Sequence, residues 1–255
     1  MSEKRKDNET DPVLDHLFEE IKEEKKNKHE SEKRVKELLA KFHLTKRNKE
    51  RAEIIDQVSE FIQFPEIISL LQEVALNDTY AFCRAKAVSY LAELVEEEEV
   101  KRTIIKKLND SSPKVRLWSV WGLRVVIHEE EVLEILLRRL RYLEKANRVK
   151  LWLIRTLSDQ ISNDDVMTAF FKLLESKPNT ETRKLLLYYL LQRLDNPEIS
   201  YKLANYVLKE TNKDIKSEII KKLLTLDNED VEYSLNKLSR MEKDENILAL
   251  LQGNH

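Results

Sequence analysis

The chain has 255 residues, of which 36% are charged and 41% hydrophobic, and a net charge of −2. No run of about 18 apolar residues and no hydrophobic core near Met1 marks a membrane span or a signal peptide, so the expected setting is the cytoplasm and no membrane partner is implied. The balanced charge argues against a general nucleic-acid coat, which carries a basic excess, and the single cysteine, Cys83, excludes an internal disulfide and reads as a packed helix residue.

Residues 1–11, MSEKRKDNETD, are polar and aperiodic, and disorder is expected there. Pro12 suits a first helical position, with Asp11 as its N-cap. Val13, Leu14, Leu17, Phe18 and Ile21 fall on one helical face, which is expected to dock or to serve as an interaction arm. Lys22–Arg34 is nearly all charge with Glu and Lys about four apart, a solvated helix or a loose connector. Val35, Leu38, Leu39 and Phe42 then resume the apolar stripe, a second piece expected to cap the first repeat. Residues 12–44 thus read as a charged amphipathic arm or cap, and residues 45–255 as one elongated array rather than two globules.

That array is defined by a repeat. A basic residue returns at Arg51, Arg84, Arg116, Lys150, Arg183 and Lys216, in steps of 33, 32, 34, 33 and 33 residues. Three residues after each anchor stand Ile54, Ala87, Ser119, Leu153, Leu186 and Ile219; seven after stand Val58, Leu91, Leu123, Leu157, Leu190 and Leu223. Six before it an acid appears as Asp78, Asp110, Glu144 and Glu210, while Thr45 and Lys177 break the column. Two helical patterns per unit predict second helices near 47–62, 80–95, 113–127, 147–160, 180–194 and 213–226. First helices are expected near 66–76, 98–109, 130–143, 164–176, 198–210 and 229–240, with a closing helix at Glu245–Gln252. The starts of the first helices are acidic, as the unpaired amides and positive dipole end of a helix favour, so these acid runs are not read as metal sites.

At LND–x5–R–x2–A and LND–SSPKV–R–x2–S the chain resembles the HEAT-repeat family, in particular its short phycobilisome-lyase-like bacterial kind, over about residues 45–240. The resemblance implies an all-α, right-handed solenoid of about six helix pairs with an N-terminal helical extension, and an acid–base ladder running between neighbouring units. It does not imply one activity, because HEAT arrays include scaffolds, a few enzymes and nucleic-acid binders. The two-iron hydroxylases of this fold need paired His-Glu motifs in four repeats. Here the only such pairs are His29-Glu30 and His128-Glu129, from which that site cannot be assembled.

No other chemistry is signalled. The histidines, His16, His29, His43, His128 and His255, do not recur at the repeat spacing, and no phosphate loop, zinc spacing or nucleophile elbow is present. No catalytic residue, metal or cofactor is therefore assigned, and the chain is not read as an enzyme.

The informative feature is the side of the second helices opposite the core columns, two before and two, five and nine after each anchor. It carries Phe82, Lys86, Ser89 and Glu93; then Lys114, Trp118, Trp121 and Val125; then Arg148, Trp152, Arg155 and Asp159; then Glu181, Leu185, Tyr188 and Gln192. All three tryptophans fall on it. In HEAT arrays this side lines the concave surface, so the resemblance implies a groove. The flanking units carry charge in the same columns: Lys49, Glu53 and Asp56, and Asp214, Glu218 and Lys221. Apolar groups ringed by charge suit recognition, with packing between neighbouring second helices as the alternative.

The expected function is a non-enzymatic scaffold or adaptor that binds a peptide or protein surface through Trp118, Trp121, Arg148, Trp152, Arg155, Leu185 and Tyr188. The alternative is a nucleic-acid binder resembling the HEAT-like DNA glycosylases, using Trp118, Trp152, Arg148 and Arg155, with Asp159 as the one candidate carboxylate on that face. Arg138, Arg139 and Arg141 of the preceding first helix are expected at the outer surface or a rim.

Overall fold

A computed structural model of the chain describes residues 12–253, and among them there are fourteen α-helices and no strand. In chain order these are α1 (Pro12–Leu44), α2 (Asn48–Ser59), α3 (Pro65–Asn77), α4 (Ala81–Leu91), α5 (Glu98–Lys107), α6 (Pro113–Gly122) and α7 (Glu130–Arg138). They continue as α8 (Asn147–Ser158), α9 (Asp164–Glu175), α10 (Thr180–Leu190), α11 (Pro197–Val207), α12 (Lys213–Leu223), α13 (Glu229–Met241) and α14 (Glu245–Gln252). The architecture is an all-α series of helix pairs of the solenoid type, divided into two compact units at Leu94/Val95.

The arm expected in two pieces is one helix of 33 residues. No glycine interrupts it, no proline follows Pro12 within it, and its charged stretch carries complementary pairs such as Arg34–Glu37 at 3.5 Å. Val35, Leu38 and Phe42 are buried, and in the first unit α1 packs on α2 and α3. The expectations at residues 1–11, including the Asp11 cap, lie outside the described residues, as do the side chains of the Val13–Ile21 face.

In the second unit the helices form two rows. The second helices α6, α8 and α10 pack in sequence, and the first helices α7, α9, α11 and α13 form the other row. The core lies between rows, where the repeat columns place it. Three after the anchors, Ile54, Ala87, Ser119, Leu153, Leu186 and Ile219 are all buried, and so are the six residues seven after. Four after, Ile55, Val88, Val120, Ile154, Leu187 and Ile220 are buried too, which gives each second helix an apolar stripe toward its own first helix and its neighbours. Cys83 sits in this core, as its place beside an anchor suggests, and burial pushes its thiol up to about 11.

The anchors are half-buried, and Arg51, Arg116, Arg183 and Lys216 pair with the acid of the next repeat. Arg51 donates Nε and Nη2 to Asp78 at 3.1 and 3.0 Å, and Arg116 does the same to Glu144 at 2.9 and 2.8 Å. Arg183 reaches Glu210 at 2.8 Å and Lys216 reaches Glu242 at 2.6 Å. Each acid also accepts the amide two residues on, from Tyr80 (2.7 Å), Ala146 (2.8 Å), Asn212 (2.7 Å) and Asp244 (3.0 Å). One carboxylate thus ties the preceding helix to the turn that opens the next, and a buried ion is left with its lone pairs satisfied.

Arg139 departs from expectation. It is buried, not at a rim, and donates Nε to Glu144 at 3.1 Å and Nη1 to Asn109 at 3.2 Å. The cause is a π-helical turn over Arg139–Leu143, whose wider coil holds one more residue than an α-turn and rotates Arg139 inward. The same turn lies inside the longest repeat step, the 34 residues from Arg116 to Lys150. Arg138 is exposed as expected, and Arg141 caps onto Asp165 through its carbonyl (2.7 Å) and carboxylate (3.0 Å).

Candidate functional site

The side chains singled out on the second helices lie on the face of α6, α8 and α10 turned away from their buried columns. The anchor register dictates this: two and five residues past an anchor are about 200° and 500° around a helix, opposite the stripe three, four and seven past it. Trp121 (39% exposed) and Tyr188 (59%) stand open, and Val125 beside them is 59% exposed. Trp118, Trp152 and Leu185 are half-buried. Arg148 and Arg155 are exposed.

Within this face the groups are arranged in pairs. The Trp118 and Trp121 rings meet edge to face with centroids 5.4 Å apart. Trp118 also forms a wall of a recess of about 380 Å³ between α6 and α8, lined by Pro113, Lys114, Leu117, Arg148 and Val149. On α8 the Arg155 guanidinium lies 5.6 Å from the Trp152 ring centroid, within cation–π range. On α10 Tyr188 stacks edge-on with Tyr189 at 5.1 Å. The arrangement offers flat apolar surface with guanidinium groups beside it, which suits a segment carrying apolar side chains and carboxylates.

Sequence reasoning missed Arg124. It stands eight residues past Arg116 and donates Nε to Asp159 at 2.8 Å, joining the ends of α6 and α8 across the face. The hydrogen bond and charge of Asp159 raise the Arg124 pKa. Asp159, the carboxylate required by a glycosylase-like reading, is therefore held by a guanidinium. Its column was readable, but the partner lies one residue outside the columns chosen for the exposed face. Among the described residues no group of three or more His, Cys, Asp or Glu is placed to hold a metal ion, and no helix is long and apolar enough to cross a membrane.

No family model matches the chain, and no curated protein matches it significantly. Among solved structures it is similar to Escherichia coli YibA, at 19% identity and a TM-score of 0.53, over 87% of this chain and 81% of that one. An archaeal HEAT-like repeats protein from Thermococcus onnurineus NA1 aligns at 18% identity and a TM-score of 0.46, over 82% of this chain and 96% of that one. What the YibA likeness carries is the fold: this chain shares the helical-repeat architecture of that protein.

Proposed function

We propose that the chain is a non-enzymatic repeat scaffold of the short HEAT kind that binds a peptide or protein segment across α6, α8 and α10. Trp118, Trp121, Trp152, Leu185 and Tyr188 are the apolar anchors, and Arg148 and Arg155 orient carboxylates of the bound segment. The observation that supports this most is the confinement of the patch. Trp121 and Tyr188 are exposed on second helices of the same row, whereas the same columns of α2 and α12 hold Lys49, Glu53 and Asp56, and Asp214, Glu218 and Lys221. Large apolar groups cost solubility when left in water and are conspicuous where neighbouring repeats use charge instead.

The test is selection of binders from a random peptide library on the full chain, followed by affinity measurement against the double variant Trp121→Ala/Tyr188→Ala. Peptides that bind the wild type and weaken by about 10- to 100-fold on the variant, with its melting temperature nearly unchanged, support the reading. Equal binding by both proteins removes it. The Trp152–Arg155 pair also suits a stacked base, and retention on DNA that falls steeply with salt would favour that second reading.

A further inference from the structure

The ladder has one rung unlike the others. Anchors reach acids 26 to 28 residues ahead: Arg51 to Asp78, Arg116 to Glu144, Arg183 to Glu210 and Lys216 to Glu242. By the same spacing Lys150 on α8 addresses position 177, which is a lysine. The half-buried Lys150 and the exposed Lys177 make no ion pair among the described residues. The neighbouring carboxylates do not substitute for the missing one. Glu181 is occupied by the Asn147 side-chain amide at 3.0 Å, and Glu175 forms no ion pair with either lysine.

The consequences spread to the adjoining turn. Elsewhere the rung acid accepts the amide two residues on. Glu144, Glu210 and Glu242 accept the next amide as well; here there is no acid, the next residue is Pro178, which has no amide hydrogen, and Lys177 takes a left-handed conformation at φ 53°. The anchor arginines Arg84 and Arg116 fold Nη1 back onto the carbonyls six and five residues upstream, Asp78 and Thr79 at 2.9 and 3.2 Å, and Asp110 and Ser111 at 2.9 and 3.1 Å. Arg183 makes no such contact with Lys177 or Pro178. It gives Nη1 to both Glu210 oxygens, and its buried Nε has no acceptor among the described residues. The α8–α10 seam is held instead by neutral groups: Asn179 and Thr182 donate to the Asn147 carbonyl oxygen at 2.7 and 3.1 Å. The repeat spacing thus sets Lys150 opposite Lys177 at this turn, without the carboxylate that the repeat is built around.

We propose that the α9–α10 turn is a docking site for a carboxylate from outside the chain, held by Lys150 and Lys177 where the other repeats carry their own acid. The source is an Asp or Glu side chain of an acidic peptide segment. The two ammonium groups match the oxygens of a carboxylate, which in the intact rungs accepts from the preceding anchor, the position Lys150 holds here. The site lies on the anchor side of α8 and stands independently of the aromatic face.

The experiment uses the full chain labelled for amide NMR, titrated with a capped hexaglutamate peptide, with sodium acetate and with inorganic phosphate at constant ionic strength. Hexaglutamate is expected to shift the amides of Lys150 and residues 176–183, and acetate to shift the same set at higher concentration. In Lys177→Glu, which restores the internal rung, the peptide should bind about tenfold more weakly or not at all, and this variant should melt above the wild type in chloride. Lys150→Met should lose peptide binding as well, as a check that does not depend on the turn. The proposal is overturned if hexaglutamate leaves those amides unmoved, if phosphate binds more tightly than hexaglutamate, or if Lys177→Glu binds the peptide as the wild type does.

Discussion

Arg116 and Glu144 form a fork-to-fork pair, Nη2 to Oε1 at 2.8 Å and Nε to Oε2 at 2.9 Å, with the glutamate side chain fully buried and the arginine only 13% exposed. Arg139 donates Nε to the same carboxylate, at Oε2. Removing the acid strands two guanidinium groups in a low-dielectric site, whereas removing one arginine leaves the acid partnered. Glu144→Ala should therefore lower unfolding stability by about 3–5 kcal/mol, and Arg116→Ala by less. Urea denaturation followed by circular dichroism checks the order, and it would be refuted by a smaller loss for Glu144→Ala.

Stability should fall in acid as the depressed carboxylates of the ladder are protonated. Hydrogen bonds from Lys216 and from the Asp244 and Lys243 amides hold the Glu242 carboxyl at about 2. For Glu144 and Glu210 burial pulls upward but is outweighed by their hydrogen-bond donors, including Arg116 and the Ala146 amide for the first and Tyr206 and the Asn212 amide for the second, so both lie below the usual range. Groups depressed on folding contribute stability that is complete above their unfolded value and is lost as pH falls through the folded one. The melting temperature should thus hold above about pH 5 and drop between about pH 4.5 and 2. In Glu242→Gln the drop should be shallower.

Cys83 should resist alkylation in the native protein. Its thiol is buried, donates weakly to the Asn48 carbonyl at 3.6 Å, and has its pKa raised to about 11. At pH 8 only about one thiol in a thousand is the reactive thiolate. A thiol reagent should react slowly with the folded chain and rapidly and completely after denaturation. Fast native reaction would place Cys83 at the surface.

Core and surface aromatic positions should separate cleanly. Leu153→Ala removes a fully buried side chain and should cost about 3 kcal/mol, while Trp121→Ala removes a ring already 39% exposed and should cost about 1 kcal/mol, the worth of its contact with Trp118. Chemical denaturation of both variants distinguishes them.

The helices and their core faces were legible because the spacing of Ile54, Leu153 and Leu186 repeats what burial requires, and Lys177 was visible as a break in the acid column. What could not be read were features set by neighbours. Arg139 turns inward only because a π-turn absorbs one residue, and no residue type announces such a turn. Arg124 finds Asp159 from 35 residues away, a pairing that depends on the offset between α6 and α8. The continuity of α1 was underdetermined, since a run of alternating charge is compatible with a helix or with a connector until Val35, Leu38 and Phe42 anchor its end.

The helix starts have a consequence for how coiling begins. From α9 onward every helix is opened by its own side chain, Asn163, Asn179, Asn196, Asn212, Asn228 and Asp244, accepting amides within three residues, whereas α2 to α8 have no such bond. A cap of this kind lowers the penalty of the first turn without any distant residue. The C-terminal helices therefore hold a local means of starting to coil that α2 to α8 lack.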